Sequence, residues 1–408
     1  MNICNCIYLV VRNAVETDYL GDNRNILTLQ PWSHSVDGNY KNKHWMGNKL
    51  DNTRERNQGA GFILLHVRFY MKFLAIALLF ILTTCKQEEI SVNGPGVYVA
   101  GSFTGTNVGQ AVYWKNQQMV VWSPDKARNS GELIDLFVKG SDIYAAGFEM
   151  MPATGWLVAK YWKNGIGKNL TDGSHYAAAF SITVSGEDVY VCGQEVNSSS
   201  ISVAKYWKNG VGVSLTDGTN DAIANTIIVS GSDIYISGQD GNKAVYWKNG
   251  IAINLPADNQ LAGTSSMVIQ GADIYISGFQ WKGYNTLAVF WKNGQLTALT
   301  DGTKSAGTSS IFVSGTGVYV AGYEVTTPLG GGGHSRATYW KNGEAVRLAE
   351  NSTETNARSI VVDGPDIYVS GTERNKQFLN AKYWKNGTGI QLADPSKYTS
   401  ANHLLIVK

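Results

Sequence analysis

Between residues 225 and 255 the hydrophobic and polar positions fall into four short groups. Asn225-Thr226-Ile227-Ile228-Val229 is a β-branched run and predicts a strand. Ser230-Gly231-Ser232 predicts a turn, and Asp233–Gly238 a second strand. Ala244–Trp247 predicts a third and Ile251–Leu255 a fourth, with Lys248-Asn249-Gly250 between them. Asn-Gly suits a type I′ hairpin, which needs positive φ at both central residues. We label the strands A to D. Side chains alternate across a strand, so Ala244 and Tyr246 share one face of strand C and Trp247 takes the other. Both faces are apolar, as a sheet packed between two others requires.

This unit recurs. Tyr-Trp-Lys-Asn appears around Trp114, Trp162, Trp207, Trp247, Trp291, Trp340 and Trp384, with Phe290 replacing the tyrosine once. A period of 40 to 50 residues with four strands per unit predicts a seven-bladed β-propeller of four-stranded antiparallel blades. The repeated aromatics are then inter-blade core. The C-terminal segment Ala401–Lys408 matches strand A of other units, for example Ala357–Val362, yet no strands B to D follow it. The first unit, in turn, starts almost directly at strand B, at Val97. The C-terminal strand is therefore expected to complete the first blade and remove an exposed sheet edge. The alternative is that Ile90–Asn93 fills that place.

The repeats resemble the Tyr-Trp-Lys-Asn-Gly propeller repeats of uncharacterised secreted proteins of Bacteroidota-type bacteria, from Gly96 to Lys408. The resemblance implies the fold and leaves activity open, because propellers host enzymes, lectins and scaffolds alike.

Ahead of the repeats, Met71–Cys85 has signal-peptide organisation: a lysine, an apolar run and then small residues. The run is shorter than the roughly 20 apolar residues of a membrane-spanning helix. Leu82-Thr83-Thr84-Cys85 resembles a bacterial lipobox, with Thr84 where Gly, Ala or Ser is commoner. Lys86-Gln87-Glu88-Glu89 resembles a charged signal that exports lipoproteins to the cell surface. The expected organisation is thus an upstream extension over residues 1–70, a lipoprotein signal peptide over 71–84, a tether over 85–95 and the propeller over 96–408. Residues 1–70 show no repeat and are expected to lie ahead of the true start, Met71. The implied location is the bacterial cell envelope, lipid-anchored through Cys85 to the outer membrane or cell surface.

Charge narrows the partners. The chain has 34 basic and 32 acidic residues; residues 1–84 hold 9 and 6 of them, which leaves 25 and 26, a net charge near −1. No basic stripe is present, so nucleic acid is not an expected partner. Cys192, the only cysteine beyond Cys85, reads as a buried filler. His175, His334 and His403 show no metal-ligand spacing, and no nucleophile elbow or phosphate loop occurs. No catalytic residue, metal or cofactor is assigned, and the chain is expected to be a monomer.

Comparison between units points to one face. A–B and C–D connections are short and alike, whereas B–C and D–A connections vary, and up-and-down strands put the varied loops on one face. Loops on a rigid scaffold are where binding commonly resides. Three features mark that face. Strand B is followed by a carboxylate in five units, at Glu149, Glu195, Asp240, Glu324 and Glu373, a partial ring suited to a cation or basic ligand. Trp156, Trp281 and Tyr284 lie in B–C loops, outside the repeat, and suit stacking on sugar rings. Arg358 and His403 are aligned near the start of strand A and are expected at the channel mouth. The leading expectation is a surface-tethered module binding a glycan or protein. A carbohydrate-active enzyme using two of the carboxylates and a non-catalytic scaffold are the alternatives.

Overall fold

The computed structural model describes residues 94–105, 109–122, 130–258, 261–327, 333–349, 354–375 and 377–408. The signal-like segment, Cys85 and Ile90–Asn93 lie outside these residues. Seven antiparallel sheets of four strands each are formed, in the order A-B-C-D from the inner edge outwards. Blade 4 is typical, with strands Ala222–Ser230, Asp233–Asp240, Lys243–Lys248 and Ile251–Asn254.

The ring closes with the C-terminal strand. Tyr398–Val407 pairs antiparallel with Gly96–Thr104, placing Val97 opposite Ile406, Val99 opposite Leu404 and Phe103 opposite Thr399. Blade 1 therefore joins both ends of the propeller. Pairing of Gly96–Thr104 with Gly109–Lys115 puts the start of the former beside the C–D turn, where Asn116 N–H donates to Val97 O at 2.9 Å.

Seven hydrophobic clusters fill the junctions between blades. In each, the Ala and aromatic face of one strand C meets the tryptophan of the next blade: Ala111 and Tyr113 meet Trp162, and Ala204 and Tyr206 meet Trp247. The last junction joins Ala381 and Tyr383 of blade 7 to Trp114 of blade 1, with Ala401 and Leu404 from the closing strand. All seven tryptophans are at most 2% exposed. Truncating one such ring to alanine costs about 3–5 kcal/mol. Cys192 is buried among blades 3 and 4, and burial pushes its thiol up, as expected for an inert filler.

The inner strands are longer than their apolar runs suggest. Strand A of blade 4 begins at Ala222, three residues before the β-branched run, because pairing resumes beyond a β-bulge between Ala224 and Thr226. A bulge or register shift recurs at this level in every blade. A glycine of strand B stands opposite each. At Gly193 an added Cβ would lie 2.0 Å from Ala178 O, and at Gly371 it would lie 2.0 Å from Asn356 O. Close backbone approach at the bulge is thus what demands glycine in the repeated strand-B motif.

Candidate functional site

The two faces of the ring are built differently. On the turn face the C–D hairpins have the expected left-handed residues, such as Asn249 at φ 49° and Gly250 at φ 81°. The asparagine also reaches back to strand B: Asn249 Oδ1 accepts from Ile234 N–H at 2.9 Å, and its Nδ2 donates to Asp233 Oδ1 at 2.8 Å. Lys248 Nζ lies 2.8 Å from Asp233 Oδ2 and 5.2 Å from the Tyr235 ring centre. Blades 2, 3, 5 and 7 repeat this with Asp142, Asp188, Asp273 and Asp366. The carboxylates are held below the usual range, chiefly by hydrogen bonds from the lysine and asparagine. In blades 1 and 6, Gly96 and Gly317 stand where the aspartate would be. This network was missed from sequence, although Asp-x-Tyr and Lys-Asn co-occur in the units that form it.

The loop face carries the five carboxylates, and they lie within strand B rather than after it. Three are engaged by a lysine of the same blade. Glu149 binds Lys160, Glu195 binds Lys205, and Glu373 binds Lys382 at 2.5 Å. Each lysine occupies a single repeat position, two residues before the tryptophan, diagonally across from the glutamate. Ala-Lys-Tyr-Trp in these three units was the available sequence signal. Asp240 has no hydrogen bond or ion pair to its carboxylate among the described residues, and Val245 fills its lysine position. Glu324 is likewise without a lysine, because Thr338 stands there. Its Oε2 is buried without a hydrogen bond, and Arg347 Nε is 3.5 Å away. A cavity of about 440 Å³ opens beside it between blades 5 and 6, lined in part by Leu299, Asp301, Lys304, Ser305 and Arg347.

The three aromatics do not form one cluster. Trp156 projects from the B–C loop of blade 2 at 49% exposure, its carbonyl capping Met151 N–H at 2.8 Å. Trp281 and Tyr284 share the B–C hairpin of blade 5, at 37% and 86% exposure. Blades 2 and 5 are three positions apart in the ring of seven. The D–A loops are less varied than the sequence comparison suggested. Asp172, Asp217 and Asp301, each in Leu-Thr-Asp-Gly, close the same turn onto the N–H two residues on. These turns hold the three carboxylates low.

Arg358 and His403 are not equivalent, which corrects the alignment made above. Arg358 is the bulge residue of its strand, matching Asn402, whereas His403 matches Ser359. Neighbouring residues across a bulge meet different surroundings. Arg358 is exposed and has no hydrogen bond or ion pair among the described residues. His403 instead belongs to a polar belt joining adjacent inner strands. Its Nδ1 stands 2.9 Å from Asp135 Oδ1 of blade 2. Asp135 Oδ2 accepts from Ile182 N–H of blade 3 at 2.9 Å, and Ser181 Oγ from Ile227 N–H of blade 4 at 3.3 Å. These side chains satisfy N–H groups on the free inner edge of strand A. Among the described residues no group of three or more His, Cys, Asp or Glu is placed to hold a metal ion.

No family model and no curated protein sequence matches the chain. Solved structures match over much of the chain at low identity. A computationally designed protein, Ika8, is 14% identical over 78% of this chain and 92% of its own, with a TM-score of 0.41. The β-propeller domain of the Trilobed protease from Pyrococcus furiosus, described as having an open velcro topology, is 10% identical over 64% of this chain and 82% of its own (TM-score 0.40). Trypanosoma rangeli sialidase is 10% identical over 66% of this chain (TM-score 0.41), and this chain spans 56% of the sialidase's length. At these identities the likenesses say nothing about chemistry.

Proposed function

We propose that the protein is a surface-tethered binding module whose B–C and D–A loop face recognises a glycan or protein ligand. The asymmetry of the faces carries this reading. Five blades repeat one Asp–Lys–Asn network on the turn face. The loop face differs from blade to blade and exposes Trp156, Trp281 and Tyr284. Uniform positions serve the ring, and varied positions are free to serve a partner. The entry of the propeller at Gly96, beside a C–D turn, supports the orientation. A tether there would hold the turn face toward the membrane and leave the loop face outward. Lipidation at Cys85 would supply the anchor, and Cys85→Ser should release the protein from the membrane fraction. Unchanged fractionation would count against it.

The binding reading is tested by screening the purified chain on a glycan array and by pull-down from the organism's own surroundings. Saturable binding of a defined ligand, weakened by changes on the loop face and insensitive to changes in the turn-face network, is the expected result. Turnover of a polysaccharide would instead favour an enzyme using the loop-face carboxylates.

A further inference from the structure

The repeat supplies its own control for the carboxylate site. In blades 2, 3 and 7 the strand-B glutamate, the strand-C lysine and a strand-D glycine occur together. Trp162 pairs with Gly167, Trp207 with Gly212 and Trp384 with Gly389. In blades 2 and 7 the glycine makes room for the lysine as it crosses the indole, whereas at Gly212 of blade 3 an added Cβ would meet the Trp207 ring, 3.0 Å from Nε1. An added Cβ at Gly167 would fall 2.5 Å from Lys160 Cε, and one at Gly389 would fall 2.9 Å from Lys382 Nζ. Lys160 and Lys382 accordingly lie 5.5 and 5.2 Å from the centres of their own tryptophan rings. Blades 1 and 5 lack both partners: Phe103 and Gln280 replace the acid, and Val112 and Val289 the lysine.

Blades 4 and 6 keep the acid without the lysine, and in blade 6 the acid has a buried oxygen that accepts no hydrogen bond. Thr338 stands at the lysine position, and its hydroxyl donates to Arg336 O at 3.1 Å rather than to the glutamate. Ala345 stands where the glycine would be. The Glu324 carboxylate accepts no hydrogen bond from any described residue, and its Oε2 is buried. A carboxylate oxygen removed from water without a donor is costly. Arg347 offsets the charge, but at 3.5 Å through Nε and with half of its side chain in solvent. The nearby cavity lies on the loop face. Lys304 Nζ spends one of its three N–H donors on Thr326 O at 3.0 Å, and Asp301 Oδ1 accepts from the N–H and hydroxyl of Thr303.

We propose that this cavity binds a compact ligand through a primary ammonium group, which gives Glu324 the hydrogen bond that a lysine gives its counterparts in blades 2, 3 and 7. Arg347 and Lys304 on the rim favour oxygen acceptors beside the amine and oppose a bare polycation. An amino sugar has that chemistry, and so does a lysine side chain next to its peptide carbonyls. The inference rests on the loop face being the binding face. It is nevertheless tested without the cognate ligand, so a failed glycan or pull-down screen and a failed amine titration are separate results.

The experiment is a calorimetric titration of the full chain with glucosamine, N-acetylglucosamine and Nα-acetyl-lysine amide. Glucosamine and its N-acetyl form differ in the charged amine, and the lysine derivative separates a sugar source from a side-chain source. Saturable binding of glucosamine or the lysine derivative, with none by N-acetylglucosamine, is expected. Glu324→Gln should weaken it by at least about tenfold, the loss of one charge-assisted hydrogen bond. Gln280 occupies this position natively in blade 5, so that variant is compatible with the fold. The double change T338K/A345G rebuilds the lysine and glycine of blades 2, 3 and 7 and should abolish binding. Equal binding of N-acetylglucosamine, undiminished binding in either variant, or no saturable binding of either amine would overturn the proposal.

Discussion

Removing the last five residues, Leu404–Lys408, should unfasten the whole ring. Leu404 is fully buried in the junction between blades 7 and 1, and Leu405, Ile406 and Val407 pack, partly buried, against the clusters on both sides of blade 1. One fully buried aliphatic side chain and three partly buried ones amount to about 5–6 kcal/mol of lost burial. Total stabilities of about 5–15 kcal/mol are typical, so this single strand end accounts for a large share. The deletion also leaves Gly96–Val99 without partners on one side, since these residues pair with Val407 through Leu404. A point variant separates packing from edge exposure. Leu404→Ala keeps the backbone ladder and should cost about 2–5 kcal/mol, lowering the melting temperature by several degrees. Lys408→Ala removes an exposed ion pair to Asp363 and should leave melting unchanged. Thermal unfolding followed by circular dichroism reads all three. A truncated chain that melts with the intact one would refute closure by the C-terminal strand.

Further expectations follow from the scaffold and the loop face. Gly193→Ala should lower the melting temperature despite the reduced freedom of its unfolded chain, a gain of about 0.4–1 kcal/mol, because its Cβ would sit 2.0 Å from Ala178 O; a stabilised variant would refute the bulge argument. Asp142, Asp188, Asp233, Asp273 and Asp366 are held low when folded. Their contribution is therefore present above the ordinary carboxylate pKa of about 4 and is lost as pH falls through the depressed values. Melting curves from neutral to acid pH should show that loss, and salt should reduce it; a flat profile would refute the network's role. Replacing Trp281 and Tyr284 together by alanine should weaken a ligand found on the loop face by about 1 kcal/mol per stack, with unchanged melting, as titration and thermal unfolding would show. Trp156→Ala should act independently, since it stands on a blade three positions away.

The fold was legible because its signals are local and repeated. Each unit states its strands through alternating apolar runs and its core through one tryptophan, and six of the seven state the hairpin through Asn-Gly, the first having Asn116-Gln117 instead. Closure was legible as an accounting problem, with one strand too many at the end and one too few at the start. The carboxylate partners were harder to read. Glu195 and Lys205 are ten residues apart in sequence and become neighbours only through the B–C register. The bulge was invisible in any single unit, because what marks it is a glycine whose need shows only in space, where an added Cβ would meet a carbonyl on another strand. It also explains the misaligned pair: a bulge gives consecutive residues different roles, so Arg358 is left in solvent while His403 meets Asp135.

Departures from the repeat carry more information than the repeat itself, and blade 6 concentrates them. It lacks the turn-face aspartate at Gly317, lacks the lysine at Thr338, carries Arg347 in its outer strand and has the longest B–C connection, residues 326–334. Blade 1 also lacks the aspartate, but its junction has an evident structural task, because the two chain ends meet there. Blade 6 has no such task. It sits mid-chain, packs Trp340 against Ala288 as its neighbours pack theirs, and takes its place in the core unchanged. Altered polar positions on an unaltered apolar frame are what a blade shows when its surface answers to something outside the ring. The half-satisfied Glu324 beside a polar cavity is the part of that surface with a stated chemical need.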